Sequence, residues 1–388
     1  MLRTAFIGLV LILIALLRAG AQAPDSAQAE PKWEVRGYLK DMQTVTYGKT
    51  PDSLVTGNLL HNRLNFRFNP TSRLSAAAEF RTRLFWGEEV RLIPNFADGL
   101  RNRNEAINLQ WVWFETSSAV MHTPVDRLWL EYRGQQWETR LGRQRINWGV
   151  ATLWNPNDIF NTYNFLDFDY EERPGRDAAK VIFHLSDFSN LEFAGAAADA
   201  GYKSVASVRY TTNRWSYDFQ FTAGVYQQVA TAGFGWSGSI GEAGFKGEAQ
   251  YFAAHADTAA LVNLVMESDY MFSKGWYVNA GFLLNSAGFS DPINNWGLYN
   301  FQLSPRSLMP TKYNTVLTVG KEITPLFSAN LTMIYSPGTN LVIALPSLRY
   351  NLGDNIDVDV FWQGFYAEQQ QNLEAVIHRG FIRFKWSF

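Results

Sequence analysis

The chain has 388 residues, no cysteine, 18% charged and 15% aromatic residues, and a formal net charge of −2. Without cysteine there is no disulfide, no thiolate metal site, no cysteine nucleophile and no lipid-modified N-terminal cysteine. The mild charge gives no footing for a nucleic-acid partner, and low charge with so many rings implies a medium other than water around part of the surface.

In chain order, Met1 to Ala23 joins a basic start at Arg3, an apolar run from Ala5 to Leu17 and the small-residue site Ala21-Gln22-Ala23. This pattern predicts a secretory signal peptide over 1–23, the run being shorter than the ~20 residues of a membrane-spanning helix. Residues 24–32 then form a short periplasmic segment. No long apolar run follows, so an exported, ring-rich chain is left with two folds, a secreted β protein or a closed barrel.

From Trp33 onward the residues alternate. Leu64, Phe66 and Phe68 oppose Arg63, Asn65 and Arg67, and Tyr217, Phe219 and Phe221 oppose Asp218, Gln220 and Thr222. Period two over ~10 residues marks a transmembrane strand, although a β-sandwich alternates in the same way. Three features select the barrel. Short turns recur at Asn69–Ser72, Arg133–Gln136, Ser186–Asn190, Asn213–Arg214, Gly241–Glu242, Ser273–Gly275, Thr324–Pro325 and Gly353–Asn355, with long connections between them. Aromatics (Trp137, Trp215, Trp276, Phe327) open the strands after these turns, as an interfacial girdle requires. The last residues place Ile382, Phe384, Trp386 and Phe388 on one face, which resembles the C-terminal signal read by the barrel-assembly machinery.

The predicted fold is therefore an all-β transmembrane antiparallel barrel over 33–388. About 19 segments alternate, but both termini of a bacterial barrel lie in the periplasm and its strand number is even. Ile107–Thr116 is then part of an excursion, leaving 18 strands, with 16 as the alternative. Long loops are expected at about 87–123, 149–177 and 286–311, around an aqueous lumen.

The five histidines fit no ligand or nucleophile pattern, and no GxSxG, HExxH or P-loop is present. No cofactor, metal or enzymatic activity is expected. The polar faces say more. Arg63, Arg67, Arg81, Arg83, Arg127, Arg133 and Arg140, joined by Arg383 and Lys385 across the closure, would line one wall of the pore. Acids of the middle strands, among them Glu248 and Glu267, would face them. Such a ladder either orients solutes in a transverse field or pairs internally to keep a wide lumen rigid.

The longest informative stretch runs from Leu141 to Arg176. Leu141–Trp148 reads as a strand carrying Arg143 and Arg145, and Gly149–Arg176 as a constriction loop with Trp154, Asn155, Asp158, Asp167, Asp169, Glu171, Glu172, Arg173 and Arg176. The run Gly142-Arg143-Gln144-Arg145-Ile146-Asn147-Trp148-Gly149, followed by Asn155-Pro156-Asn157-Asp158, resembles the central block of porins of the alginate-export type and related Gram-negative porins. That resemblance implies an 18-stranded barrel and an Arg-lined conduit for anionic or polar solutes, with Arg143 and Arg145 at matching positions. The acidic loop would repel a polyanion unless neutralised. Its carboxylates fit no EF-hand spacing, so salt bridges to Arg173, Arg176 and the wall are expected.

The expected function is a porin-like channel in a Gram-negative outer membrane, passing small or oligomeric polar solutes, anions included. The alternative is a sealed barrel that docks a partner protein. Its surroundings would be outer-membrane lipid, the assembly machinery at Phe388 and the solute, with no nucleic acid.

Overall fold

The structure, a computed structural model, describes residues 31–388 apart from 51–52, 103, 163, 168, 170–172, 257, 293–302 and 370. The leader assigned to 1–23 lies outside the described residues. The first half of the chain supplies the strands β1 (Trp33–Tyr47), β2 (Val55–Thr71), β3 (Leu74–Gly87), β4 (Gln110–Glu115), β5 (Ala119–Arg133), β6 (Trp137–Gln144), β7 (Arg176–Ser186), β8 (Ser189–Ala197) and β9 (Val205–Arg214). The second half supplies β10 (Tyr217–Tyr226), β11 (Val229–Ile240), β12 (Ala243–Phe252), β13 (Leu261–Phe272), β14 (Trp276–Asn285), β15 (Tyr313–Thr324), β16 (Phe327–Ser336), β17 (Leu341–Gly353), β18 (Ile356–Gln369) and β19 (Asn372–Ser387). No helix among the described residues is long and apolar enough to cross a membrane.

Each strand runs antiparallel to the next, except that β3 pairs directly with β5, and β19 pairs back onto β1 from Tyr38↔Ser387 to Tyr47↔His378. The result is a closed barrel of 18 strands, which leaves no free sheet edge around the ring. Two hydrogen bonds seal the junction: Gly37 N–H donates to the Phe388 carbonyl at 2.8 Å and Phe388 N–H donates to the Gly37 carbonyl at 2.9 Å. A Cβ at Gly37 would lie 2.7 Å from the Phe388 ring, so the close approach of the last residue requires glycine here.

Alternation sorts the side chains as expected. Leu128, Leu130, Leu141, Phe193, Phe221, Leu317 and Ile382 are exposed on the outside, where lipid covers them, while Lys40, Arg63, Glu248 and Arg383 are buried on the inside. All eight short turns lie at one end with both termini. Trp33, Trp137, Trp215, Trp276 and Trp386 ring that end with exposed indoles, forming one girdle of an outer-membrane barrel. The opposite end carries the long connections, and also a tight turn at Gln227–Gln228 with φ of 49° and 71°.

The excursion after β3 forms two short helices, α1 (Glu88–Leu92) and α2 (Phe96–Gly99), and then β4. This fragment of Ile107–Thr116 does not cross the barrel. It pairs with the upper part of β5, Gln110↔Pro124 to Glu115↔Val120, above the point where β6 stops pairing at Leu128↔Arg143. The wall has a notch there because the chain leaves it after Gln144, and β4 fills the notch.

Candidate functional site: the loop across the barrel interior

The described residues of 145–175 turn into the interior. The expected strand Leu141–Trp148 is thus cut short at Gln144, and Arg145–Trp148 already belong to the loop. Apolar packing explains the inward turn. Ile146, Trp148, Ile159 and Phe160 join Ala194, Val205, Tyr226 and Phe252 of β8 to β12 in one cluster. Trp154 and Phe165 join Leu308, Met309, Val265, Leu283 and Ile334 in another. Burying several large side chains at ~1.5–3 kcal/mol each outweighs leaving the loop in water.

Carboxylates fix the loop at two opposite walls. On the acid wall, Glu248 of β12 accepts the backbone N–H of Val150, of Ala151 at 2.7 Å and of Asn157 at 2.8 Å. Glu267 of β13 accepts Thr152 N–H at 2.7 Å and its hydroxyl at 2.6 Å. On the basic wall the donor and acceptor roles reverse. The loop's Asp169 meets Lys40 Nζ of β1 and His61 Nδ1 of β2, each at 2.7 Å, and Gln363 of β18 donates to the Leu166 carbonyl at 2.7 Å. The loop therefore bridges the lumen from one side to the other. Within it, Arg173 pairs with Asp158, Asn155 is buried with its Oδ1 against Gly149, and Arg176 donates to the Lys203 carbonyl at 3.1 Å at the loop's base. Glu171 and Glu172 lie outside the described residues.

The arginine ladder is mostly an ion-pair network. Arg63 binds Glu79, Asp126 and Asn65. Arg81 binds Asp126 at 3.1 Å, Arg133 and Arg140 share Glu131, and Arg383 binds Asp359 at 2.7 Å. Arg127 donates to the Asp126 and Arg173 carbonyls, Lys385 lies over the Tyr38 ring, and Arg67, at the turn end, reaches Asn69. Arg83 and Arg145 differ. Neither makes a hydrogen bond or ion pair among the described residues, and the Nε of each is buried without a partner. Arg83 lies over Phe85 within the electrostatic reach of Asp167, whose side is exposed on the loop.

Arg143 departs from the expected pore lining. It is 1% exposed and plugs the notch in the wall. Nε donates to Asp177 Oδ1 at 2.9 Å, Nη1 to the Val125 carbonyl at 3.1 Å and to Glu105 at 3.0 Å, and Nη2 to the Ile107 carbonyl and to Asp177 Oδ2. A guanidinium has five N–H donors, and all are used within the wall. Glu105 and Asp177 carry no mark of this role in the sequence, because their common partner, Arg143 of β6, lies far from each along the chain.

Burial pushes the Asp158 carboxyl up to about 7 against the opposing pull of Arg173 and Arg145, with Glu248 facing it. Burial also raises Asp169, but His61 and Lys40 more than offset this and hold it well below the carboxylate range. The signs differ. A raised carboxyl favours the docked loop below its ordinary pKa, and that contribution fades as pH rises through about 7. A depressed one favours docking above an ordinary pKa of about 4 and fades as pH falls below it. The two contributions therefore coincide near pH 4, and that of Asp158 is lost progressively from there up to about 7. In single-channel records, open-loop events should become more frequent as pH rises from about 4 to about 7, and Asp158→Asn should abolish that rise.

The sequence matches no protein-family model and no curated protein. Solved structures do match. The outer membrane protein OprD from Pseudomonas aeruginosa aligns with a TM-score of 0.61 at 7% identity, over 95% of this chain and 97% of that one. Acinetobacter baumannii OccAB4 aligns at 0.58 and 9% identity, over 94% and 100%. Pseudomonas aeruginosa OccK11 (OpdR) aligns at 0.56 and 10% identity, over 92% and 96%. What is shared at these identities is the fold, a closed antiparallel β-barrel, and it does not single out the alginate-export type.

Proposed function

We propose that the chain is a passive channel for small polar solutes, anions included, with its selective point where the inward loop faces the basic wall. The observation that carries this reading is the bridging loop: it narrows the lumen, and at it stand two cations, Arg83 and Arg145, that feel nearby aspartates but form no ion pair among the described residues. A guanidinium free of ion pairs can offer its planar fork to a solute carboxylate or phosphate. The paired arginines cannot do so without breaking a bond. Small solutes are favoured over a polyuronate chain, which would need free donors at regular spacing along the wall. The likeness to OprD and the Occ structures supports the channel, and the C-terminal strand ending at Phe388 is the segment we assign to the assembly machinery.

Arg83→Ala combined with Arg145→Ala should lower the anion-to-cation permeability ratio severalfold, on the order expected from removing unscreened charge at a constriction. Reversal potentials across a salt gradient measure it, and an unchanged ratio would remove these residues from the filter. A second reading, a sealed docking barrel, draws on the apolar packing of Trp154, Phe165, Leu308 and Met309 in the interior. Refolded protein that carries no current would favour it.

A further inference from the structure

Beneath the loop, in the turn-side half of the barrel, is a cavity of about 490 Å³ whose lining is unlike the basic wall. Its roof is the loop backbone at Gly149 and Val150, and its walls come from β8 to β11, with Asn190, Thr211, Asp218, Gln220 and Ser237 on their inward face. Above the roof the apolar cluster around Ile146 and Trp148 closes the way. Phe188, in the turn between β7 and β8, stands at the lip. The cavity is thus a recess opening toward the turn end, in the size range of ordinary small-molecule sites.

No lysine or arginine lines it. Apart from Val150 and the rings of Phe188 and Phe219, the side chains that do are amides and hydroxyls such as Thr211, Gln220 and Ser237, with two carboxylates, Asp187 and Asp218, among them. Several are held in place with capacity to spare. Asn213 donates to Asp218 Oδ1 at 2.8 Å, which orients the carboxylate and leaves Oδ2 as a further acceptor. Gln220 spends its amide N–H on the Trp148 carbonyl at 2.7 Å, leaving its own carbonyl as an acceptor. A fixed carboxylate beside acceptors and hydroxyls suits a ligand with several adjacent O–H donors. An anion would meet Asp218 without any compensating cation.

We infer that this recess is a binding site for an uncharged polyhydroxy solute of mono- or disaccharide size, reached from the turn end. It is separate from the Arg83 and Arg145 path and does not depend on conduction. Titration calorimetry on the refolded full chain in detergent tests it, with sucrose and trehalose as probes and gluconate as the anionic control. Saturable binding of a neutral sugar in the millimolar range, weakened tenfold or more by Asp218→Ala and severalfold by the near-isosteric Thr211→Val, with gluconate silent, supports the site. Absence of saturable sugar heat, equal binding of gluconate, or unchanged affinity in both variants overturns it. Conductance of the same preparation separates the two proposals. A sugar-binding barrel without current sinks the channel reading, and a conducting barrel without sugar binding sinks the recess.

Discussion

Replacing Glu248 and Glu267 together by alanine should raise single-channel conductance severalfold and add large, slow current steps. These two carboxylates take five loop hydrogen bonds, three on Glu248 and two on Glu267. Hydrogen bonds to a charged acceptor contribute about 1.5–3 kcal/mol each, and the orphaned N–H groups of Val150, Ala151, Thr152 and Asn157 would then favour water. The apolar anchors Trp148 and Trp154 remain, so the variant should fluctuate between docked and released rather than lose the loop. Glu248→Gln should fall between wild type and the double variant, because the amide oxygen still accepts but carries no charge. Records in which the double variant matches wild type would show that apolar packing alone holds the loop.

Much of this architecture was legible because a barrel writes its two faces into a period of two. The eight turns, the exposed girdle tryptophans and the parity argument that removed Ile107–Thr116 from the crossing strands all rest on local pattern, and 18 strands close as expected. The interior was legible only in its charges. Near the loop end, inward positions such as Val265, Leu283, Val316 and Ile334 are apolar. Leu261–Met266 accordingly loses its alternation, a sign of burial on both faces that marks where loops pack inside. The arginines were visible as residue types, but their states were not. Whether Arg63 is spent and Arg83 is free depends on Asp126, an extra residue at the register shift where Glu79↔Arg127 is followed by Phe80↔Val125. A bulge of this kind turns a neighbouring side chain inward without any local mark in the sequence. The acid clamp was half visible. Glu248 and Glu267 stood out as acids of the opposite wall, but a carboxylate that binds backbone N–H leaves no trace in the side chains of its partner.

Arg143→Ala should cost about 3–5 kcal/mol, because it strands the buried carboxylates of Glu105 and Asp177 without their cation. It should leave ion selectivity unchanged, since none of its five donors faces the lumen. Two further groups lose out: the Val125 and Ile107 carbonyls, which hold the edge of the excursion against the wall, would give up a charged donor. Arg143→Lys would keep the charge but not the planar fork that reaches four partners in different directions, so it should restore only part of the loss. Converting the acids as well, in Arg143→Ala with Glu105→Gln and Asp177→Asn, should recover more, because the main cost is an uncompensated charge and not a missing contact. Arg83→Ala should have the reverse profile. It removes a buried cation that forms no ion pair among the described residues, leaving stability unchanged or slightly higher, while selectivity falls. Urea unfolding in lipid vesicles, set beside reversal potentials for the same proteins, measures both axes. If Arg143→Ala shifted the reversal potential at unchanged stability, its guanidinium would have to face the lumen, and the wall-plug assignment would fall.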